Sequence, residues 1–162
     1  MDRDFDLLVI GGGAAGIAAA RAGARGGAHT ALVQEGPVGG DCTFTGCVPS
    51  KTLLAAAARG DSFADAMAAV RAAVAQVAAT EDDVALKRDG ITVIHGRAVL
   101  RSRHEADVDG ARLHGRRIVL ATGAGPAVPP IEGLRRIDHL TNETVFSLDT
   151  LPRRLAVIGG GA

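Results

Sequence analysis

Phe5-Asp6-Leu7-Leu8-Val9-Ile10-Gly11-Gly12-Gly13-Ala14-Ala15-Gly16 is a short, mostly apolar run that meets glycines at G-x-G-x-x-G spacing. The run reads as a buried parallel strand. An Ala-rich stretch, about Ala14 to Gly26, reads as the helix behind the turn. His29 to Gln34 reads as a second strand, with Glu35 at its end. Each part of this order has a physical task. Gly11 makes the tight turn, Gly13 lets backbone approach a pyrophosphate, and Gly16 lets helix and strand pack closely. The first turn of the helix, at Ala14 and Ala15, offers free N–H groups and a positive dipole end to phosphates. Glu35 can accept hydrogen bonds from ribose hydroxyls. The pattern points to a dinucleotide-binding α/β unit. The plainer alternative is a glycine-rich turn in an ordinary α/β domain, with Glu35 a solvated acid at a strand end.

The next stretch holds both cysteines of the chain: Gly39-Gly40-Asp41-Cys42-Thr43-Phe44-Thr45-Gly46-Cys47-Val48-Pro49-Ser50-Lys51. In a regular helix, Cα atoms five residues apart lie roughly 8.6 Å from each other. A disulfide needs about 4.4–6.8 Å. Cys42 and Cys47 therefore cannot pair across an undistorted helix. Gly46 permits an unusual backbone, and Pro49 clashes within a helix with the carbonyl of Thr45, so a local bend is expected. Regular helix should follow through Lys51 to Ala58. A helix start here would lower a cysteine pKa and favour the thiolate. A two-cysteine metal site would need further ligands, and no His/Cys cluster stands nearby. An incidental pair of buried cysteines is the other alternative.

The chain has 162 residues, room for one domain with a sizeable core. Its 18 Lys and Arg balance 18 Asp and Glu, which gives no hint of a nucleic-acid or membrane partner. With four Phe and no Trp or Tyr it has no stacking platform for single-stranded nucleic acid. No signal peptide or long apolar run is visible. A cytoplasmic location is the expectation, and there a close cysteine pair points to catalysis or metal rather than a structural staple.

Gly-Gly-x-Cys-(x)4-Cys-Val-Pro-Ser-Lys, following a G-x-G-x-x-G, resembles the signature of the pyridine nucleotide–disulfide oxidoreductases. That family of FAD flavoproteins includes dihydrolipoamide dehydrogenase, glutathione reductase and mercuric reductase. The resemblance implies an α/β fold: a Rossmann-like FAD-binding domain with a small β-meander, incomplete here. It implies that Cys42 is the interchange thiol that meets substrate and Cys47 the charge-transfer thiol against the flavin. Gly40 and Asp41 would stand at the cofactor, and Lys51 near its reactive nitrogen. Electrons would pass from NAD(P)H through FAD to the disulfide and then to a small-molecule substrate, in a homodimeric parent enzyme. Two positions depart from the family's habit. Asp41 replaces the usual hydroxyl residue, and Phe44 the common Asn. A carboxylate at 41 would repel a pyrophosphate unless it points away or meets a cation.

Beyond the cysteines, Ser62 is a candidate N-cap for a helix to about Ala79, with Phe63, Met67, Val70, Val74 and Val77 as its packing stripe. A short helical segment spans Glu81 to Arg88. Ile91 to Leu100 reads as one strand with a glycine interruption. The resemblance puts backbone near Gly96 and Ala98 against the adenine, with a simple bulge as the alternative. Alternation around Asp109-Gly110 predicts a hairpin over Glu105 to Leu113. Arg117 to Leu120 is a further strand. It leads into Ala121-Thr122-Gly123, the family's second FAD contact by resemblance. His95, His104 and His114 are too scattered to argue for a metal. Pro126, Pro129 and Pro130 force an extended connection.

Leu155 to Ala162 repeats the opening: an apolar strand, then glycines at G-x-G spacing. The expected division is a FAD-binding domain with the redox disulfide over 1–150, and the start of a truncated NAD(P)-binding domain over 151–162. The leading expectation is an oxidoreductase by descent, of dihydrolipoamide dehydrogenase or mercuric reductase type, inactive as this stretch alone. A catalytically inert FAD-binding module and a flavin-independent thiol–disulfide protein are the alternatives.

Overall fold

The computed structural model describes residues 3–160. Six strands form one sheet: β1 (Arg3–Ile10), β2 (Thr30–Gln34), β3 (Ile91–His95), β4 (Ala98–Leu100), β5 (Glu105–Val108) and β6 (Ala111–Leu120). Their spatial order is β3-β2-β1-β6-β5-β4. The first three pairings are parallel and the last two antiparallel. Among the described residues five α-helices accompany them: α1 (Ala14–Arg25), α2 (Gly40–Phe44), α3 (Cys47–Arg59), α4 (Phe63–Ala78) and α5 (Asp83–Arg88). This is an α/β fold, a Rossmann-like domain carrying a small meander. None of the described helices is long and apolar enough to cross a membrane.

The apolar run of β1 is continuous because both faces of the strand are covered. Leu8 and Ile10 point to one side, into a cluster with Phe5, Val33 and the meander residues Ala106, Val108 and Leu113. Val9 points to the other, with Ile17 and Ala20 of α1, Leu32, Leu86 and Ile91. Full burial of a side chain such as Leu8 or Leu32 contributes roughly 1.5–3 kcal/mol. The expected Ser62 cap is present: its hydroxyl accepts from the Asp65 N–H and opens α4. The expected hairpin is present too. Asp109 and Gly110 both have positive φ, 50° and 86°, as a two-residue turn of primed type requires.

Four expectations are corrected. Residues 91–100 are two strands: β3 joins the parallel sheet against β2, whereas β4 pairs with β5. Gly96, at φ 145°, is where the chain leaves one for the other, and a Cβ there would collide with Asp109 and Val108. Second, the hairpin's return arm and the strand over 117–120 are one ten-residue strand, β6. Its first half pairs with β5 and nearly its whole length with β1. Third, the expected local bend is present as the break between α2 and α3, but Pro49 does not make it. Pro49 sits in the first turn of α3, where a missing N–H costs nothing. Fourth, Leu155 to Ile158 forms no strand. Leu155, Val157 and Ile158 stand exposed, Val157 at 78%. The final glycine of that motif, Gly161, lies outside the described residues, as do Met1 and Asp2.

Candidate active site

The carboxyl ends of the four parallel strands form one edge, the place where open α/β sheets bind ligands. Gly11 follows β1, Glu35 follows β2, Gly96 follows β3 and Ala121 follows β6. Backbone closeness here dictates small residues. A Cβ on Gly11 would strike the Ala121 carbonyl, and one on Gly16 would strike the Gly11 carbonyl oxygen. The Ala121 N–H donates to the Ile10 carbonyl at 2.8 Å, which fixes the Ala121-Thr122-Gly123 segment beside the glycine turn. Thr122 and Gly123 are exposed, and Gly123 has φ 71°.

Gly13 caps α1 without a side chain, and no acidic residue stands in the first turn. Ala14 and Ala15 are exposed. A Cβ on Gly13 would meet only the Gly40 Cα, at 3.8 Å, so the turn is open on that side. Glu35 is exposed just beyond the strand end. The first helical turn, the glycine backbone and the acid therefore fit a dinucleotide whose pyrophosphate meets the helix N-terminus.

The second glycine pair locks the cysteine segment onto this turn. The Gly39 N–H donates to the Gly12 carbonyl at 2.8 Å, and Gly13 and Gly39 form a parallel bridge. Gly39 and Gly40 both have positive φ, 131° and 62°. α2 then carries Asp41 and Cys42, and α3 begins at Cys47. Gly46 between them is required by space: a Cβ would lie 2.8 Å from the Asp41 carbonyl oxygen. Separate short helices thus bring Cys42 and Cys47 close enough to act on one another. Both are free thiols, Cys42 half-buried and Cys47 exposed.

The Cys42 pKa is raised above the ordinary thiol value of 9.0. The hydrogen bond to the Cys47 side chain holds its proton first, then burial, then the charges of Cys47 and, last, Glu81. The lowering expected from a helix start does not prevail, and that expectation is corrected. The N–H of Cys47, first residue of α3, reaches Cys42 and favours its thiolate, but the opposing causes outweigh it.

Lys51 is exposed and lies one turn beyond Cys47 on the same face of α3. Asp41 is exposed, and the Thr45 hydroxyl donates to its carboxylate at 3.4 Å. Ala98, half-buried, starts β4 and packs beneath the sheet with Ile94 and Ile118. Gly96 instead donates its N–H to the Gln34 carbonyl at the strand-end edge.

Three residues escaped the sequence reading. The Gln34 side chain accepts the Gly12 N–H at 2.6 Å and so braces the glycine turn. Its only signal is an amide at the end of an apolar strand. Thr43, 2% exposed, donates its hydroxyl to Glu81 at 2.7 Å. Thirty-eight residues separate that pair, and no local pattern announces it.

The family model of the pyridine nucleotide-disulphide oxidoreductases matches residues 5–162. The chain is 36% identical over 177 residues to a mercuric reductase of Staphylococcus aureus, covering 99% of this chain and 32% of that protein. It is also 36% identical over 174 residues to a glutathione reductase of Burkholderia cepacia, covering 98% and 38%. Among solved structures it resembles the HOCl-induced flavoprotein disulfide reductase RclA from Escherichia coli. That match has a TM-score of 0.81 at 30% identity and covers 91% of this chain and 35% of the other. The chain thus spans well under half the length of these three proteins. With its fold, its paired glycine turns and its adjacent thiols, the chain belongs to the pyridine nucleotide–disulphide oxidoreductases, a family of enzymes.

Proposed function

We propose that this chain is the flavin-seating, dithiol-bearing part of an FAD-dependent oxidoreductase that passes electrons from NAD(P)H to a disulfide or metal-ion substrate. The enzyme is of dihydrolipoamide dehydrogenase or mercuric reductase type, a cytoplasmic homodimer. One observation carries the reading. The backbone that leads into Cys42 is bonded to the glycine turn that fits a dinucleotide, through Gly39 N–H and Gly12 carbonyl.

Gly11, Gly13, Ala14, Ala15 and Gly16 would hold the FAD pyrophosphate, Glu35 a ribose, and Gly96 and Ala98 the adenine side. Gly40, Asp41, Cys42, Cys47, Lys51 and Ala121 to Gly123 would line the rest. When bound, FAD supplies a carrier that accepts a hydride equivalent from a nicotinamide and yields two electrons to a disulfide. Two electrons entering the Cys42–Cys47 bond break it, and Cys42 takes up a proton. Cys42, once deprotonated, attacks a substrate disulfide. One substrate sulfur bonds to Cys42 and the other leaves as a thiol. Cys47, left as a thiolate, then attacks the Cys42 sulfur, re-forms the pair's own disulfide and releases the second sulfur as a thiolate that takes its proton from solvent. The raised Cys42 pKa agrees with a thiol that keeps its proton between turnovers.

The test combines flavin and thiol chemistry. After incubation with FAD and gel filtration, the chain should retain a flavin absorbance band. Oxidised lipoamide or oxidised glutathione should convert both thiols into one intramolecular disulfide. A chain that retains no flavin and leaves two free thiols would refute the proposal.

A further inference from the structure

Glu81 has no place in the reaction just described, yet its carboxylate is bonded to the residue that follows Cys42. Its Oε2 accepts the Thr43 hydroxyl at 2.7 Å, and Thr43 is the residue next to Cys42. Thr43 is also buried. Its side chain lies over Gly39, where an added Cβ would come within 3.1 Å of the Thr43 Cβ. The segment carrying Glu81 is fixed in its turn. The Glu81 N–H donates to the Ala78 carbonyl at 3.0 Å. Arg21 of α1 donates to the Thr80 carbonyl at 2.8 Å and pairs with Asp89. A line of contacts therefore runs from α1 through Thr80 and Glu81 to Thr43 and the Cys42 helix. A solvated surface acid would show no such tethering.

We propose that Glu81 is a positioning residue of the dithiol: through its bond to Thr43 it anchors the Cys42 helix and brings a negative charge to the neighbourhood of Cys42. The role rests on the oxidoreductase reading given above. The charged groups that push the Cys42 pKa up are Cys47 from α3 and Glu81 from the turn after α4; α1 and α4 also pack against α2. A negative charge beside a thiol disfavours the thiolate. Glu81 thereby adds to the larger effects of Cys47 and burial in keeping Cys42 protonated, and so less open to stray alkylation or oxidation, until substrate arrives.

The test uses the reduced 162-residue chain and Glu81→Gln, which keeps an oxygen acceptor for Thr43 but removes the charge. Iodoacetamide labelling of Cys42, read by peptide mass spectrometry, is followed across pH 7 to 10. Glu81→Gln should retain the wild-type urea midpoint. Its Cys42 labelling at pH 8 should rise about two- to threefold, with the profile moved to lower pH. Glu81→Ala should move the profile the same way and also lower the urea midpoint. An unmoved profile in Glu81→Gln, with a lowered urea midpoint in Glu81→Ala, would reduce Glu81 to a structural contact and overturn the proposal. Closure of the wild-type disulfide by oxidised glutathione is read separately. Its failure sinks the redox reading and the role that rests on it, whereas closure with an unmoved profile sinks the role alone.

Discussion

Gly40 and Gly13 touch backbone to backbone: a Cβ on Gly40 would lie 2.6 Å from the Gly13 Cα. The two glycines come from different motifs, one opening the cysteine helix and the other opening α1. Their contact joins the dithiol to the dinucleotide turn as one unit. It also explains why a residue at φ 62° is needed here, since a larger residue would suffer both strain and collision. Gly40→Ala should therefore destabilise the chain by about 3 kcal/mol, combining left-handed strain with overpacking. Gly27→Ala has a positive φ of 81° but nothing within 4 Å, so it should cost only about 1 kcal/mol. Urea unfolding of the two variants checks the difference, and equal losses would deny the contact.

Gln34→Ala removes the acceptor of the Gly12 N–H. The expected loss is about 1 kcal/mol of stability. If FAD sits at this turn as proposed, its affinity should fall too, because the turn is less well ordered before binding. Gln34→Glu keeps an acceptor and should restore stability. It places a charge near the phosphates, so flavin affinity should stay low. Flavin fluorescence titration separates the two effects.

The raised Cys42 pKa has a consequence for stability. A thiol whose folded pKa lies above its unfolded value favours folding while protonated. Its contribution is fully present below the unfolded pKa and is lost as pH rises through the folded one. The reduced chain should therefore lose stability as pH climbs past 9.0, the ordinary thiol value. Cys42→Ser should show a shallower decline over the same range. Urea midpoints measured at pH 8, 9 and 10 in the presence of a non-thiol reductant compare the slopes.

Ser62 closes the open end of α4 with its bond to the Asp65 N–H. Ser62→Ala should cost about 1 kcal/mol. Ser62→Asp, also a good cap, should cost much less, although Asp65 stands only three residues away and repels it. Thermal unfolding of the pair tests whether the cap itself, rather than the serine's bulk, stabilises the helix.

Local order along the chain was readable wherever one residue's chemistry decides one element. The glycine turn, α1, the Ser62 cap and the Asp109-Gly110 hairpin all follow from spacing and backbone preference over a few residues. So does the placement of Cys42 and Cys47 on segments that cannot be one regular helix. Reading failed where an element's fate depends on its neighbours. Residues 91–100 look like one strand because their apolar pattern barely pauses at Gly96, yet β2 claims the first half and β5 the second. The 111–120 stretch looks like two pieces because its alternation breaks off into His114-Gly115-Arg116-Arg117 before the apolar end, yet β1 pairs along nearly all of it. Leu155 to Ile158 has the composition of a strand and no partner among the described residues. A strand exists only where a neighbouring edge supplies its hydrogen bonds.

The same division holds at the candidate site. The glycines, both cysteines and Glu35 announce themselves in the amino-acid order, because backbone approach, thiol chemistry and a strand-end acid each demand a particular residue type. The folded chain adds what no local pattern carries. Gln34 reaches across to Gly12, Glu81 reaches Thr43 over 38 positions, and the neighbours of Cys42 raise its pKa although a helix start lies beside it. Hydrogen bonds and charges act through space, so their partners, and the sign of their sum, emerge only once distant segments are packed together.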